Sequence, residues 1–377
     1  MSTRVTISPL VSRRDWRDFL RLPREIYADD PCWVEPLRVE RKALWSRRRP
    51  WFRHIEGQLF LARRGAEVLG SISAQVDRLQ PCENGRTIGY FGQFECREDI
   101  DAAIGLFEQA RHWLRARGCS WMRGPYDLSI NQSCGLLIEG RETPPMILMG
   151  HTPTYYIELF ESAGLHGEMD LLAYILRPDF DAPAPMRRLL ERNRRQLTFR
   201  RLDWNRYLQE VELLRQLFND AWSENWGFVP LTEEEFAHTG REIRRILHPD
   251  HACIAEMNGE PVGFIIALPN LNELIADLGG RLFPTGWARL LWRLKKRSVT
   301  TARVPLMGVR KRHQGGLMGA AISFGMIDAI RHALHRDGIR QVEMSWILES
   351  NQGMNSLIEA MGGRLYKRYR MYGAPLD

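Results

Sequence analysis

The chain has 377 residues, 44% apolar and 26% charged, with 53 basic against 46 acidic side chains and a net charge of +7. This is globular composition with room for two ordinary domains, and it excludes disordered, fibrous and collagen-like classes. The six cysteines (Cys32, Cys82, Cys96, Cys119, Cys134 and Cys253) are scattered, with no CxxC pair or Cys/His cluster. That pattern points to a reducing compartment and to no metal site.

The opening residues, MSTRVTISPLVSRRDW, lack the apolar core and small-residue cleavage site of a secretory signal. The longest apolar runs, such as GFIIAL, are too short to span a bilayer. A cytoplasmic protein is expected, soluble or attached peripherally to the inner face of the cell membrane. Residues 1–55 read as an N-terminal arm with Pro- and Arg-rich turns (ADDPCWVEP, SRRRPWF).

Two stretches further on share one pattern. FLARRGAEVLGSISA (60–74) and CIAEMNGEPVGFIIA (253–267) each read as strand, turn, strand, and Ala62/Ala255, Glu67/Glu260 and Gly70/Gly263 all lie 193 positions apart. A helix follows each (99–118 and 318–338), ending in Gly as helices often do. Then comes a strand (CSWMRGP; IRQVEMSW) and a second helix (YIELFESAGL; MNSLIEAMGGRL). Equal order and spacing at low identity indicate an internal duplication. The halves are expected at 56–180 and 186–377, joined through the three-proline stretch LRPDFDAPAP (176–185).

The step before the second half's central helix is VRKRHQGGLMGAAISFG. Glycines at a strand-to-helix junction let an anion approach unpaired backbone N–H groups, and flanking cations favour it. The corresponding first-half step, FGQFECREDIDAA, has no glycine cluster, and Glu95, Glu98, Asp99 and Asp101 would repel a diphosphate while suiting a helix N-terminus.

This element order with its glycine step resembles the GCN5-related (GNAT) acyltransferases, so the fold class expected is α/β, with two tandem GNAT-like mixed-sheet domains, the first degenerate. In that family an Arg/Gln-Gly-x-Gly-x-Gly/Ala loop holds the pyrophosphate of coenzyme A. Here Gln314, Gly315, Gly316, Gly319 and Ala320 match it, with Leu317 at the middle glycine. The resemblance implies acyl-CoA as co-substrate, with no permanently bound cofactor, held by those residues together with Val309 and Asn351. A Tyr of the family that serves as general acid is replaced by Ile358. The strands that part around the thioester should be 302–309 and 340–347. Glu343 and Glu349 near that gap, and His313 at its mouth, are the candidates for the general base.

FNDAWSENWGFVPLTEEEF (218–236) places Trp222, Asn225, Trp226 and Phe228 where the family shapes its acceptor site, which suggests a large apolar pocket with polar handles. In the first half, Tyr126, Ser129, Asn131, His151, Tyr155 and Tyr156 are concentrated in two segments that interdomain packing explains equally well.

Between the third and fourth strands of the second half the chain inserts residues 269–301. Phe283, Trp287, Leu290, Leu291 and Leu294 recur at helical spacing, while Arg289, Arg293, Lys296 and Arg297 take the other side and Trp292 lies between. The segment 281–303 has seven basic residues and no acidic one. Such a helix suits an anionic membrane surface through 281–297. A nucleic-acid partner would call for a broad basic face instead and is not expected.

A weaker resemblance, through the FNDAWSENWGF and GPYDLSINQSCGLL segments, is to bacterial N-acyltransferases of the ceramide synthase group. It implies transfer of a long-chain acyl group from coenzyme A to the amine of a lipid-like acceptor such as a sphingoid base. The alternatives are a small-amine acetyltransferase, a tRNA-dependent aminoacyl transferase, and a non-catalytic acyl-CoA-binding protein.

Overall fold

A computed structural model describes residues 4–296 and 298–376. In chain order, the first half runs β1 (Thr6–Pro9), α1 (Arg13–Ile26), α2 (Arg38–Leu44), β2 (Ile55–Arg64), β3 (Glu67–Asp77), β4 (Ile88–Cys96), α3 (Ile100–Arg115), β5 (Trp121–Gly124), β6 (Leu136–Glu139), α4 (Tyr156–Ser162) and β7 (His166–Leu176). The second half continues with α5 (Ala184–Asn193), β8 (Leu197–Arg201), α6 (Tyr207–Trp222), α7 (Glu233–Ile243), β9 (Ala252–Met257) and β10 (Glu260–Pro269). It closes with α8 (Asn272–Ile275), α9 (Gly286–Lys296), β11 (Thr301–Val309), α10 (Gly316–Arg336), β12 (Gln341–Leu348), α11 (Gln352–Ala360) and β13 (Arg364–Pro375). From β1 and from β8 the same order of paired strands, central helix, strand, short helix and long strand repeats.

The compact units are not simply the two halves of the chain. The first comprises residues 1–171, 275–292 and 367–377; the second comprises 172–274 and 293–366. The first unit therefore uses most of the insertion and the end of β13. Within it β1 to β4 pair antiparallel, β4 and β5 pair parallel, and β5 takes the C-terminal end of β13 as its antiparallel partner, Tyr372 opposite Gly124. In the second unit β8, β9, β10 and β11 pair antiparallel, and β11 pairs parallel with β12.

Each core follows from alternation along the strands. In the first unit Ile72 and Ala74 of β3, with Phe91 and Phe94 of β4, pack under Leu106, Phe107 and Ala110 of α3. In the second, Val262 and Ile265 of β10 and Val342 and Met344 of β12 pack under Ile322, Phe324 and Ile327 of α10. Leu172, Tyr174 and Leu176 at the end of β7 join that core. By length and composition α10 is apolar enough to cross a membrane, but most of it is buried inside the second unit, as a core helix should be.

The opposite face of the first unit's sheet is covered by the N-terminal arm. Ser12 and Asp15 form a reciprocal cap that starts α1. Phe19 of α1 and Trp45 and Trp51 beyond α2 pack on Leu59 and Leu61 of β2. The insertion completes a small apolar cluster there, with Ile275, Leu278, Leu282 and Leu290 against Leu37 and Val34.

This packing corrects the expected division of α9 into an apolar and a basic side. Leu290 turns inward to Leu37, and the Arg293 guanidinium bonds the Leu274 carbonyl at 2.6 Å. The exposed apolar side chains are Phe283, Trp287, Leu291 and Trp292, beside the exposed Arg289, Lys295 and Lys296. Arg297, expected to share in the basic face, lies outside the described residues.

Gly92 shows how tightly the first unit is closed. A Cβ there would stand 1.6 Å from the Tyr126 carbonyl oxygen, which is backbone and cannot swing away. Gly92→Ala should therefore destabilise the protein by about 3 kcal/mol or more, at the upper end of overpacking costs. Gly118→Ala, whose Cβ would meet nothing within 4 Å, is the control that carries only backbone strain. Urea unfolding of the two variants checks the difference.

Candidate active site

The second unit's β11 changes partners halfway along. Against β10 it pairs from Gly263↔Val309 to Ile266↔Leu306, then resumes at Leu268↔Arg303, so β11 carries one extra residue between. Pro305 sits in that interval and has no N–H to offer a ladder. Against β12 the parallel pairing runs from Thr301↔Gln341 to Val304↔Met344 and goes no further among the described residues. Beyond Pro305 the strands part, and residues 305–308 are half-exposed.

The first unit has the same bulge, with Ser71↔Glu95 followed by Ser73↔Gly92. Its gap, however, is filled. The Tyr126 amide donates to the Phe91 carbonyl at 2.8 Å, and Gly92 lies directly against Tyr126.

The loop beyond β11 follows the expected lines. The Gln314 side-chain amide donates to the carbonyls of Val309 and Ala221, both at 2.8 Å, and so fastens the loop to β11 and α6. Gly315 and Gly316 have φ of +76° and +59°, a conformation L side chains resist, and a Cβ at either would point into open space. Gly319 is closely backed, its Cβ position 2.8 Å from the His313 carbonyl. Ala320 is half-buried and Val309 buried.

Because Gly315 is the N-cap, no side chain caps α10. Among the described residues the first-turn amides of Gly316, Leu317 and Met318 have no acceptor. The helix dipole adds to their pull on an anion. Cations stand alongside: Arg310 bonds the Pro261 carbonyl at 2.9 Å, Lys311 pairs with Glu224, and Arg312 pairs with Glu260. In the first unit the matching helix start is occupied by its own carboxylate, since Asp99 accepts from the Ala102 amide at 2.9 Å and pairs with Arg64 at 2.6 Å.

The candidate bases are placed very differently from one another. Glu343 is fully buried directly opposite Arg303. Its Oε1 accepts from Ser345 Oγ at 2.5 Å and lies 3.4 Å from Arg303 Nε; its Oε2 accepts from the Tyr366 hydroxyl. The guanidinium also donates to Ser345 Oγ at 2.9 Å and stacks 4.5 Å from the Trp346 ring. Glu349 is exposed at the turn after β12, and His313 is half-exposed in the single 3-10 turn Lys311–His313. Asn351 caps α11, accepting from the Met354 amide at 3.2 Å. Ile358 is buried in the core.

Among the acceptor candidates, Trp222 stacks on Phe218 at 4.7 Å and covers Gly308, whose Cβ position is 2.3 Å from its ring. Phe228 lies 6.1 Å from Phe218, Trp226 is half-buried and Asn225 is exposed. So the loop residues and Trp222 come together at β11. Glu343 stands deeper, behind Ser345 and Tyr366. Arg303 escaped the sequence reading, although a lone Arg in one apolar strand and a lone Glu in its neighbour were the signal. His248, His251 and Asp337 are close enough to share an ion. Their contacts read as an anchor for the end of α10: His251 Nε2 bonds Asp337 at 2.9 Å, and Arg336 takes the other carboxylate oxygen at 3.1 Å.

Two repeats of this order, one with parted strands and an uncapped glycine loop, define a tandem GNAT fold. The tandem GNAT protein of the clavulanic acid biosynthesis pathway matches it over 99% of both chains, at a TM-score of 0.56 and 13% identity. No family model matches the chain. Protein YghO of Escherichia coli is 42% identical over 97% of this chain and 94% of its own. The bacterial ceramide synthase of Caulobacter vibrioides is 42% identical over 98% and 97%. The chain belongs to the family of these two proteins, and its fold is that of the tandem GNAT proteins.

The buried pair makes a direct prediction. Glu343→Gln removes one charge of the buried Arg303–Glu343 pair, which should cost about 3–5 kcal/mol. Glu349→Gln should change stability by less than about 0.5 kcal/mol, as surface substitutions do. Denaturant unfolding of both variants measures the contrast.

Proposed function

We propose that the protein transfers a long-chain acyl group from coenzyme A to the primary amine of an amphiphilic acceptor of the sphingoid-base kind. The observation that carries the reading is the parted pair β11 and β12 leading into an uncapped glycine loop. The diphosphate would lie on the amides of residues 314–320, with Val309 and Asn351 alongside. The pantetheine would run along residues 305–308, whose edge toward β12 has lost its ladder.

In the transfer, the uncharged amine attacks the thioester carbonyl, the C–S bond breaks, and an amide forms while coenzyme A leaves as the thiol. The amine's proton needs a route. Tyr366, hydrogen-bonded to Glu343, is suited to relay it to that carboxylate, with Glu349 and His313 as the other candidates. Tyr366→Phe should then cut turnover by ~10²–10⁴ while leaving the Arg303–Glu343 pair intact. Unchanged single-turnover rates would move the role to Glu349 or His313.

Similarity to a bacterial ceramide synthase supports the acceptor, as do the aromatic side chains Trp222, Trp226 and Phe228 beside the site. Gly316→Asp, which adds bulk and a negative charge to the loop, should abolish coenzyme A binding in calorimetry and amide formation by mass spectrometry. Amide formed with short acyl groups and small polar amines only would favour the small-amine acetyltransferase.

The insertion suits delivery of such an acceptor from an anionic bilayer at the inner face of the cell membrane. Phe283 is 73% exposed, Leu291 58%, Trp292 57% and Trp287 49%. The described residues 281–296 hold five basic side chains and no acidic one. Aromatic and leucine side chains bury at a bilayer interface, and each nearby cation contributes ~1 kcal/mol. Replacing Phe283, Trp287 and Leu291 together with Ala should release the protein from phosphatidylglycerol vesicles. Acylation of a short soluble amine should stay unchanged.

A further inference from the structure

The first unit lacks the open gap and the anion seat, yet it gathers a polar cluster that the transfer reaction does not use. Along β3, Ile72 and Ala74 enter the core under α3, so Ser71, Ser73 and Gln75 point to the other face, and all three are fully buried there. Glu95 of β4 stands directly opposite Ser71 and shares that face. The arm adds Tyr27 at the end of α1 and Arg41 from α2, α4 adds Tyr156, and the loop after β5 adds Asp127.

Hydrogen bonds gather these groups around Glu95 and around Gln93, and the Arg41 charge acts on both carboxylates. Glu95 accepts from the hydroxyls of Tyr27 and Tyr156, each at 3.0 Å. Asp127 accepts from Gln93 Nε2 at 2.5 Å, and Arg41 donates to Gln93 Oε1 at 3.3 Å. Gln93 sits at the bulge with φ of +45°, strained for a residue with a Cβ. Ser71 Oγ is bonded to the Gln93 carbonyl at 3.0 Å, and Gln75 Nε2 to the Tyr126 carbonyl at 3.1 Å. Between these two anchors Ser73 Oγ has no partner among the described residues, and neither does Gln75 Oε1. Trp33 stacks parallel on Tyr27 at 4.8 Å.

Two carboxylates face one guanidinium, so one negative charge stays uncompensated where water is scarce, which is costly. The unpartnered atoms, a carbonyl oxygen and a hydroxyl, can both accept. An anion fits neither fact. A ligand rich in N–H and O–H donors fits both, and the Tyr27–Trp33 stack offers an aromatic face of the kind that attracts cations.

We propose that this face of the first unit binds the polar head of an amino alcohol, with Glu95 and Asp127 receiving the ammonium and Ser73 and Gln75 the neighbouring hydroxyls. The ligand class rests on the amine-acceptor reading above; the existence of the site does not. Withdrawal from water pushes the Glu95 carboxyl up to about 7 and Asp127 up to about 6, against the pull of Arg41. The other titratable groups around Glu95 are Tyr27, Cys96, Tyr155 and Tyr156, whose own values are raised, so they stay neutral. Cation binding needs both carboxylates charged. Affinity therefore rises as pH climbs through about 7 and falls as pH drops below it.

Calorimetry of the full-length protein with a short-chain soluble amino diol, and with the same diol lacking nitrogen, is the test. The amino diol should bind at least tenfold more tightly, and its affinity should rise between pH 6 and pH 8. Glu95→Gln, close in shape, should remove that preference while coenzyme A still binds, the latter showing that the variant is folded. Equal binding of the two diols by the unmodified protein overturns the proposal without recourse to any variant. So does full amino-diol affinity in both Glu95→Gln and Asp127→Asn. If the amino diol binds as expected but no acyl group is transferred to it, the site stands and the acyl-acceptor reading falls.

Discussion

Pro305 is the residue at which the second unit's strands β11 and β12 part. A proline inside a strand removes one ladder donor, and here it coincides with the extra residue that puts β11 out of step with β10. From that point, among the described residues, β12 runs without pairing to β11, and residues 305–308 are left half-exposed. Buried backbone groups normally find partners, so a strand opened in this way is suited to a ligand that lies along it. The glycine loop beyond then offers the uncapped end of α10 at the end of the same strand. One local break in a ladder thus sets an opened strand edge and an uncapped helix end one after the other along the chain.

The first unit repeats the bulge and withholds the consequence. Its chain after β5 folds back onto β4, and Asp99 caps the helix that would otherwise present free amides. The same backbone plan therefore supports an open site in one repeat and a closed, polar interior in the other. Fold alone does not assign function; the side chains and caps at the junction decide it.

Much of this was legible in the chain. Matched strand, helix and glycine spacings showed the duplication because such signals are local. The glycine loop at 314–320 was readable for the same reason, glycines and cations lying next to one another in sequence. What escaped reading depends on distant partners. The Arg303–Glu343 pair was not legible because the two lie forty residues apart and meet only through strand register. The inward turn of Leu290 on α9 depends on Leu37 in the arm. Glu95 was read with its neighbours as part of an acidic helix start. Asp99 does serve there, but Glu95 faces Tyr27 and Tyr156. In each case the missing information was which remote residue stands opposite.

The far end of β13 belongs to the unit whose other strands are synthesised first. In that unit β5 has the end of β13 as its antiparallel neighbour, and the arm's Leu37 is covered by side chains from the insertion. A nascent chain that has emerged only as far as β7 would hold a sheet with a bare margin, the sort of surface that recruits other chains. The N-terminal repeat can close only once β13, some 240 residues after β5, has been made. Ribosome pausing and chaperone capture are therefore expected to matter more here than in a protein whose repeats mature one after the other.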